Sequence, residues 1–201
     1  FNSFSFAEII DTARNQQRLK AALDPKGNWL SHSIARAHAH LQYVRRNDPK
    51  AGGLVICSDH KHAKSIAKLL QKLGTNPTVV LSDDSDASQN ILDFANNDSE
   101  WIVAVRMVSE GVDIPRLCVG LFATSTTTEL FFRQAVGRIV RQSGKTNEAM
   151  MFIPNDPRLV SHAHSMAVSR VHSLKEPELD DQDGEQFKRD EATFDPINES
   201  P

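Results

Sequence analysis

Three residues in the run QAVGRIVR are spaced to do chemistry together. Gln134, Arg138 and Arg141 stand at i, i+4 and i+7. On one continuous helix those positions share a face, a turn apart. An amide and two guanidinium groups aimed the same way would hold a polyanion, because Arg stays charged and grips phosphate oxygens in pairs. The run follows an apolar stretch, 119–123, and a polar turn, 124–128. That order predicts a place at the carboxyl edge of a sheet, where open α/β folds bind ligands. Phe131, Phe132, Val136, Ile139 and Val140 form a separate apolar face, which argues against a merely solvated helix with two surface arginines. Gly137 lies mid-helix, where Gly costs about 1 kcal/mol relative to Ala, and predicts a close approach to some neighbour.

Two further segments carry candidate chemistry. Residues 107–115, MVSEGVDIP, leave a strand-like run and turn through Gly111, whose backbone freedom suits a tight turn or a near ligand. Asp113 offers a carboxylate for a ribose hydroxyl or for orienting an Arg, or it closes an ordinary Asx turn. Residues 58–62, Ser-Asp-His-Lys-His, open a helix after an apolar strand. Backbone N–H groups at such a start bind phosphate and Lys61 adds charge. The simpler alternative is a capped helix start, with Ser58 or Asp59 as cap.

Other patterns imitate sites. Ser143-Gly144-Lys145-Thr146 resembles the end of a phosphate-binding loop, but Ile139 stands where that loop needs its first Gly. Asp190-Glu191-Ala192-Thr193 imitates an acidic metal box without a preceding strand. The pairs His38/His40, His60/His62 and His162/His164 are two apart, so on helices they point away from each other. No metal site is expected from them, since no Cys or carboxylate cluster completes a shell.

The elements that must position these groups are legible as periodicities. Residues 6–23 and about 29–46 read as helices, separated by Asp24-Pro25-Lys26-Gly27. In the second, Leu30, Ile34, Ala37, Leu41 and Val44 form one stripe. Strands are expected at 53–57, 78–81, 101–105, 119–123 and 149–153. Helices are expected at 59–73, 87–95, 128–141 and 156–174, the last with Asn155 as N-cap. Alternating helices and uninterrupted apolar strands predict an α/β fold with a mostly parallel sheet covered on both faces. The chain divides into an N-terminal helical segment, 1–50, an α/β domain, 51–174, and an acidic tail or linker, 175–201.

Composition narrows the setting. The 201 residues are 39% hydrophobic and 24% charged, enough for one domain with a sizeable core. No apolar run reaches the roughly 18 residues of a membrane span, and no signal-peptide pattern opens the chain. Cys57 and Cys118 sit in apolar strands and read as buried, reduced thiols of a cytoplasmic protein. Opening on Phe1 rather than Met, the sequence reads as a piece of a longer chain. From residue 176 onward ten acidic residues face two basic ones, which leaves +5 on the remainder. A mildly basic body suits an anionic partner, and the acidic, apolar-poor tail is expected to be disordered.

The segments beginning at Ser58, at Met107 and at Gln134, in that order and at those separations, resemble motifs IV, V and VI of the second RecA-like domain of superfamily 2 helicases. The likeness covers about residues 52–154. The form GRIVR is nearer to the DEAD/DEAH-box relatives grouped with type III restriction enzymes and repair helicases than to RNA-remodelling DEAD-box proteins, which usually carry His where Gln134 stands. The resemblance implies a three-layer RecA-like domain working as part of an ATP-dependent helicase or translocase. ATP and Mg2+ would be held mainly by a preceding N-terminal RecA-like domain. Arg141 resembles the arginine finger, Arg138 its companion and Gln134 the contact to the γ-phosphate or attacking water. Gly111 and Asp113 resemble the loop coupling nucleotide to motion. Nucleic acid, with DNA favoured over RNA, would be touched by Ser58, Lys61, Arg106 and Ser109. Relatives often carry a backbone-contacting Thr where Val105 ends its strand, and here that contact would pass to Arg106 or Ser109, or be lost. The domain alone is expected to be inactive. The rival expectation is a catalytically idle module that docks nucleic acid or protein.

Overall fold

The computed structural model describes residues 6–81, 83–105, 114–140 and 149–173. Five strands, β1 (Gly52–Cys57), β2 (Thr78–Val80), β3 (Trp101–Val105), β4 (Leu117–Ala123) and β5 (Met150–Phe152), form one sheet in the order β2-β3-β1-β4-β5. All four pairings are parallel. The helices are α1 (Phe6–Ala22), α2 (Asn28–Arg45), α3 (His60–Lys72), α4 (Ala87–Asn96), α5 (Glu129–Ile139) and α6 (Pro157–Ser173). None of the described helices is long and apolar enough to cross a membrane.

Every residue of β1, β3 and β4 is buried, as expected of central parallel strands covered on both faces. Strand period two divides them between two cores. Val55, Cys57, Val103, Val105, Leu121 and Ala123 pack with α2 and α3. Leu54, Ile56, Ile102, Ala104 and Phe122 pack with α4, α5 and Leu159 of α6. These sides are the ones right-handed crossovers require for this strand order. Leu30, Ile34, Ala37, Leu41 and Val44 of α2 are all buried, and they share a core with β4. Burial pushes the Cys118 thiol up to about 11 and the Cys57 thiol higher still; both stay as inert neutral thiols.

Two glycines allow close packing. A side chain at Gly53 would run into the Trp101 ring, and one at Gly120 would run into Met151 and Ile139. Gly137, expected to serve that purpose, is exposed, and a methyl group there would meet nothing described within 4 Å.

The last helix corrects another expectation. Asp156, not Asn155, caps α6: it is buried and its Oδ1 accepts the Arg158 N–H at 3.0 Å. Pro157 occupies the first helical position, which makes the residue before it the cap. The Arg158 guanidinium closes on the same carboxylate at 2.8 and 2.9 Å. Burial works to raise the Asp156 pKa, but these Arg158 hydrogen bonds outweigh it and hold it below the ordinary value.

Candidate functional site

The connections leaving β1 and β4 diverge: α3 follows β1 onto one face, and α5 follows β4 onto the other. Adjacent parallel strands whose helices part in this way leave a crevice at their carboxyl ends, the usual ligand position in open α/β sheets. Across that crevice the Ser125 N–H donates to Ser58 Oγ at 3.3 Å. A cleft of about 500 Å³ opens there, lined by Lys20, Lys26, Ser58, Lys61, Ser65 and Ser125. Its remaining walls are Leu23 and Pro25, the rim carboxylates Asp24 and Asp59, and His62.

His62 fixes the cleft's shape. Its Nε2 is 2.8 Å from the Leu23 carbonyl, in the turn between α1 and α2. Its Nδ1 is 3.4 Å from the Ser58 N–H. One neutral tautomer satisfies both contacts: Nε2–H donates to Leu23 and Nδ1 accepts from Ser58. Burial holds the ring's pKa below its ordinary 6.5, against the opposing pull of the Leu23 carbonyl and the Asp59 and Asp24 carboxylates. Asp59 is the N-cap of α3, its Oδ1 accepting the His62 N–H at 2.8 Å. The cap occupies the His62 N–H, and Lys61 adds an ammonium group to what the helix start offers an anion.

The helix that carries Gln134 and Arg138 is shorter than the expected 128–141. The helix ends at Ile139, and Val140 is extended with φ −94° and ψ 93°. Arg141 lies outside the described residues, together with Arg106, Ser109, Gly111 and Asp113. Gln134 is exposed and Arg138 half-buried. The helix starts at the carboxyl edge but runs back along the sheet. Ile139 packs against Gly120, in the middle of β4, so Arg138 lies about 14 Å down the helix from Glu129. The structure therefore separates two sets: Ser58 and Lys61 in the crevice, Gln134 and Arg138 along the flank of α5. His162, half-buried, has Nε2 3.0 Å from the Thr127 carbonyl, tying α6 to the turn before α5.

Lys20, Lys26, Ser65 and Ser125 escape a reading of the sequence as candidates. Lys20 ends one helix and Lys26 sits in a turn, some forty residues before Lys61. Only the packing of α2 on the sheet brings them to the same cleft.

No family model matches the chain. It is similar to an uncharacterized protein of Mycobacterium leprae (strain TN), 44% identical over 177 residues, which cover 88% of this chain and 30% of that protein. An uncharacterized protein of Mycobacterium tuberculosis is likewise 44% identical, over 85% of this chain and 28% of its own length. The chain thus spans under a third of the curated relatives it matches. Among solved structures, a fragment of a putative HsdR subunit of a type I restriction enzyme from Vibrio vulnificus superposes with TM-score 0.54 at 18% identity, covering 73% of this chain and 30% of that one. Domain 2 of the DEAD-box helicase Mss116p, bound to an RNA duplex, gives 0.52 at 14% identity over 70% of this chain and 56% of its own. The fold is RecA-like. These likenesses, to a restriction-enzyme subunit and to a DEAD-box helicase domain, are likenesses of fold.

Proposed function

We propose that this domain is the C-terminal motor half of an ATP-dependent nucleic-acid helicase or translocase. The observation that carries the reading is α5: on a helicase-like sheet, the helix directly after β4 presents an exposed Gln134 with Arg138 one turn on. The donors fit phosphate: an amide and guanidinium groups offer N–H and no negative charge. The family resemblance gives Mg2+ to the preceding N-terminal RecA-like domain. ATP would supply the phosphoryl group. Arg138 and Arg141 would neutralise charge developing on it, and Gln134 would orient the γ-phosphate or water. Gly111 and Asp113 would couple that contact to domain motion. Ser58, Lys61, Arg106 and Ser109 would meet nucleic acid, with DNA favoured by the restriction- and repair-like form of the motifs.

A finger of this kind is worth about 10³- to 10⁵-fold in rate. In the full-length protein Arg141→Ala should lower DNA-stimulated ATP turnover by about 10³-fold or more while ATP binding persists. Near-normal turnover in that variant would remove the finger assignment. A second reading, an idle module that docks nucleic acid or protein, draws on the separation of the crevice from α5. Wild-type protein that binds DNA but never hydrolyses ATP would select it.

A further inference from the structure

Resting on the nucleic-acid part of that reading, we infer that the turn between α1 and α2 is a second jaw on the polynucleotide. Lys20 and Lys26 would grip a single-stranded DNA backbone against Ser58 and Lys61. These two lysines lie outside the motif segments altogether. Three ammonium groups, from the last turn of α1, the α1–α2 turn and the first turn of α3, converge on one cleft of about 500 Å³. All three are exposed, and none is ion-paired with a described residue.

The two rim carboxylates offset part of that charge and leave three ammonium groups against two carboxylates. Asp24 Oδ1 accepts the Lys26 N–H at 2.9 Å, and Asp59 Oδ1 accepts the His62 N–H at 2.8 Å, so each is turned toward its own backbone. Ser58 Oγ likewise accepts from Ser125. The cleft therefore offers its cations to phosphate, and DNA is taken as the occupant from the proposed function. Among the described residues no Phe, Tyr or Trp lines it, so the grip argued here is on the backbone and independent of sequence. His62, bonded to both jaws, is a positioning residue that sets their separation.

The test uses the full-length protein and fluorescence anisotropy with a single-stranded oligodeoxynucleotide across a salt series. Each phosphate contact removed from a single strand lowers the slope of log K against log salt by about 0.7. Lys20→Gln with Lys26→Gln should weaken binding at low salt by about tenfold or more and lower the slope by about 1.4. The Arg pair should restore both. Lys61→Gln should lower the slope by about 0.7, and Lys72→Gln, at the far end of α3, should change nothing. Unchanged affinity and slope in the Gln pair, with Lys61→Gln still weakened, would overturn the second jaw and leave the proposed function standing. A wild-type protein that binds no strand overturns both. An oligoribonucleotide of the same sequence bound tenfold more tightly overturns DNA as the occupant.

Discussion

The two ends of the sheet use cations in opposite ways. At the amino edge Arg116 turns its guanidinium inward: Nε and Nη2 donate to the Phe94 carbonyl at 3.0 and 2.7 Å, Nη1 to the Lys50 carbonyl at 2.9 Å and Nη2 to the Ser99 carbonyl at 2.8 Å. Its plane lies 3.9 Å over the Phe94 ring. Arg45 beside it donates to the carbonyls of Ala51 and Asp98 at 2.6 and 3.0 Å. Burial, then the neighbouring Arg45, lowers the Arg116 pKa to about 10, still charged at neutral pH. At the carboxyl edge Lys20, Lys26 and Lys61 face solvent. A planar fork suits fixed carbonyls, whereas a compact ammonium on a flexible stem suits a ligand that slides. What surrounds a cation thus says more about its work than the charge does.

The largest stability effect should come from the amino edge. Arg116→Ala leaves the carbonyls of Phe94, Lys50 and Ser99 without their donor and uncovers the Phe94 ring. The expected loss is about 3 kcal/mol in urea unfolding, with the salt dependence of DNA binding in the surviving folded protein unchanged. A loss below about 0.5 kcal/mol, or a changed salt slope, would blur the contrast between the two edges. A smaller effect of opposite sign is expected on α5. Gly137→Ala adds a methyl group in open space and should stabilise by up to about 1 kcal/mol. If the same variant loses turnover in the full-length protein, a ligand or neighbouring domain approaches that glycine closely after all.

The gentlest test is a pH profile. Because the His62 pKa is depressed on folding, the unfolded chain takes up this proton first as pH falls through 6.5. The contribution to stability is complete above that pH and is lost as pH drops toward the folded ring's lower value. His62→Gln should flatten the decline measured by denaturation between pH 7 and 5. An identical decline in wild type and variant would show that His62 does not link protonation to folding.

How much of this could be read from the chain depends on the range of each interaction. The α2 stripe and the buried strands were legible because local periodicity reports burial directly. Where α5 stops was not. Spacing suggested a helix through Arg141, but packing of Ile139 on Gly120 occupies the last turn and the chain straightens at Val140. Gly137 meets no described neighbour within this chain. The glycines that permit close approach, Gly53 and Gly120, do so for Trp101 and Met151, partners that lie 48 and 31 positions away and leave no local trace. The α6 cap could have been read correctly, since Pro157 already marks Asp156. Lys20 and Lys26 carry no motif, and their role depends on a tertiary contact that composition does not encode.

The alternation along β1 has a practical consequence. Leu54 and Ile56 belong to the core beneath α4 and α5, while Val55 and Cys57 belong to the core beneath α2 and α3. One step along the chain moves a substitution from the flank that bears Gln134 to the flank that holds the lysine cleft. Neighbouring codons are therefore levers on opposite sides of the molecule, and conservative trimming at each in turn would let a geneticist loosen one flank while leaving the other firm.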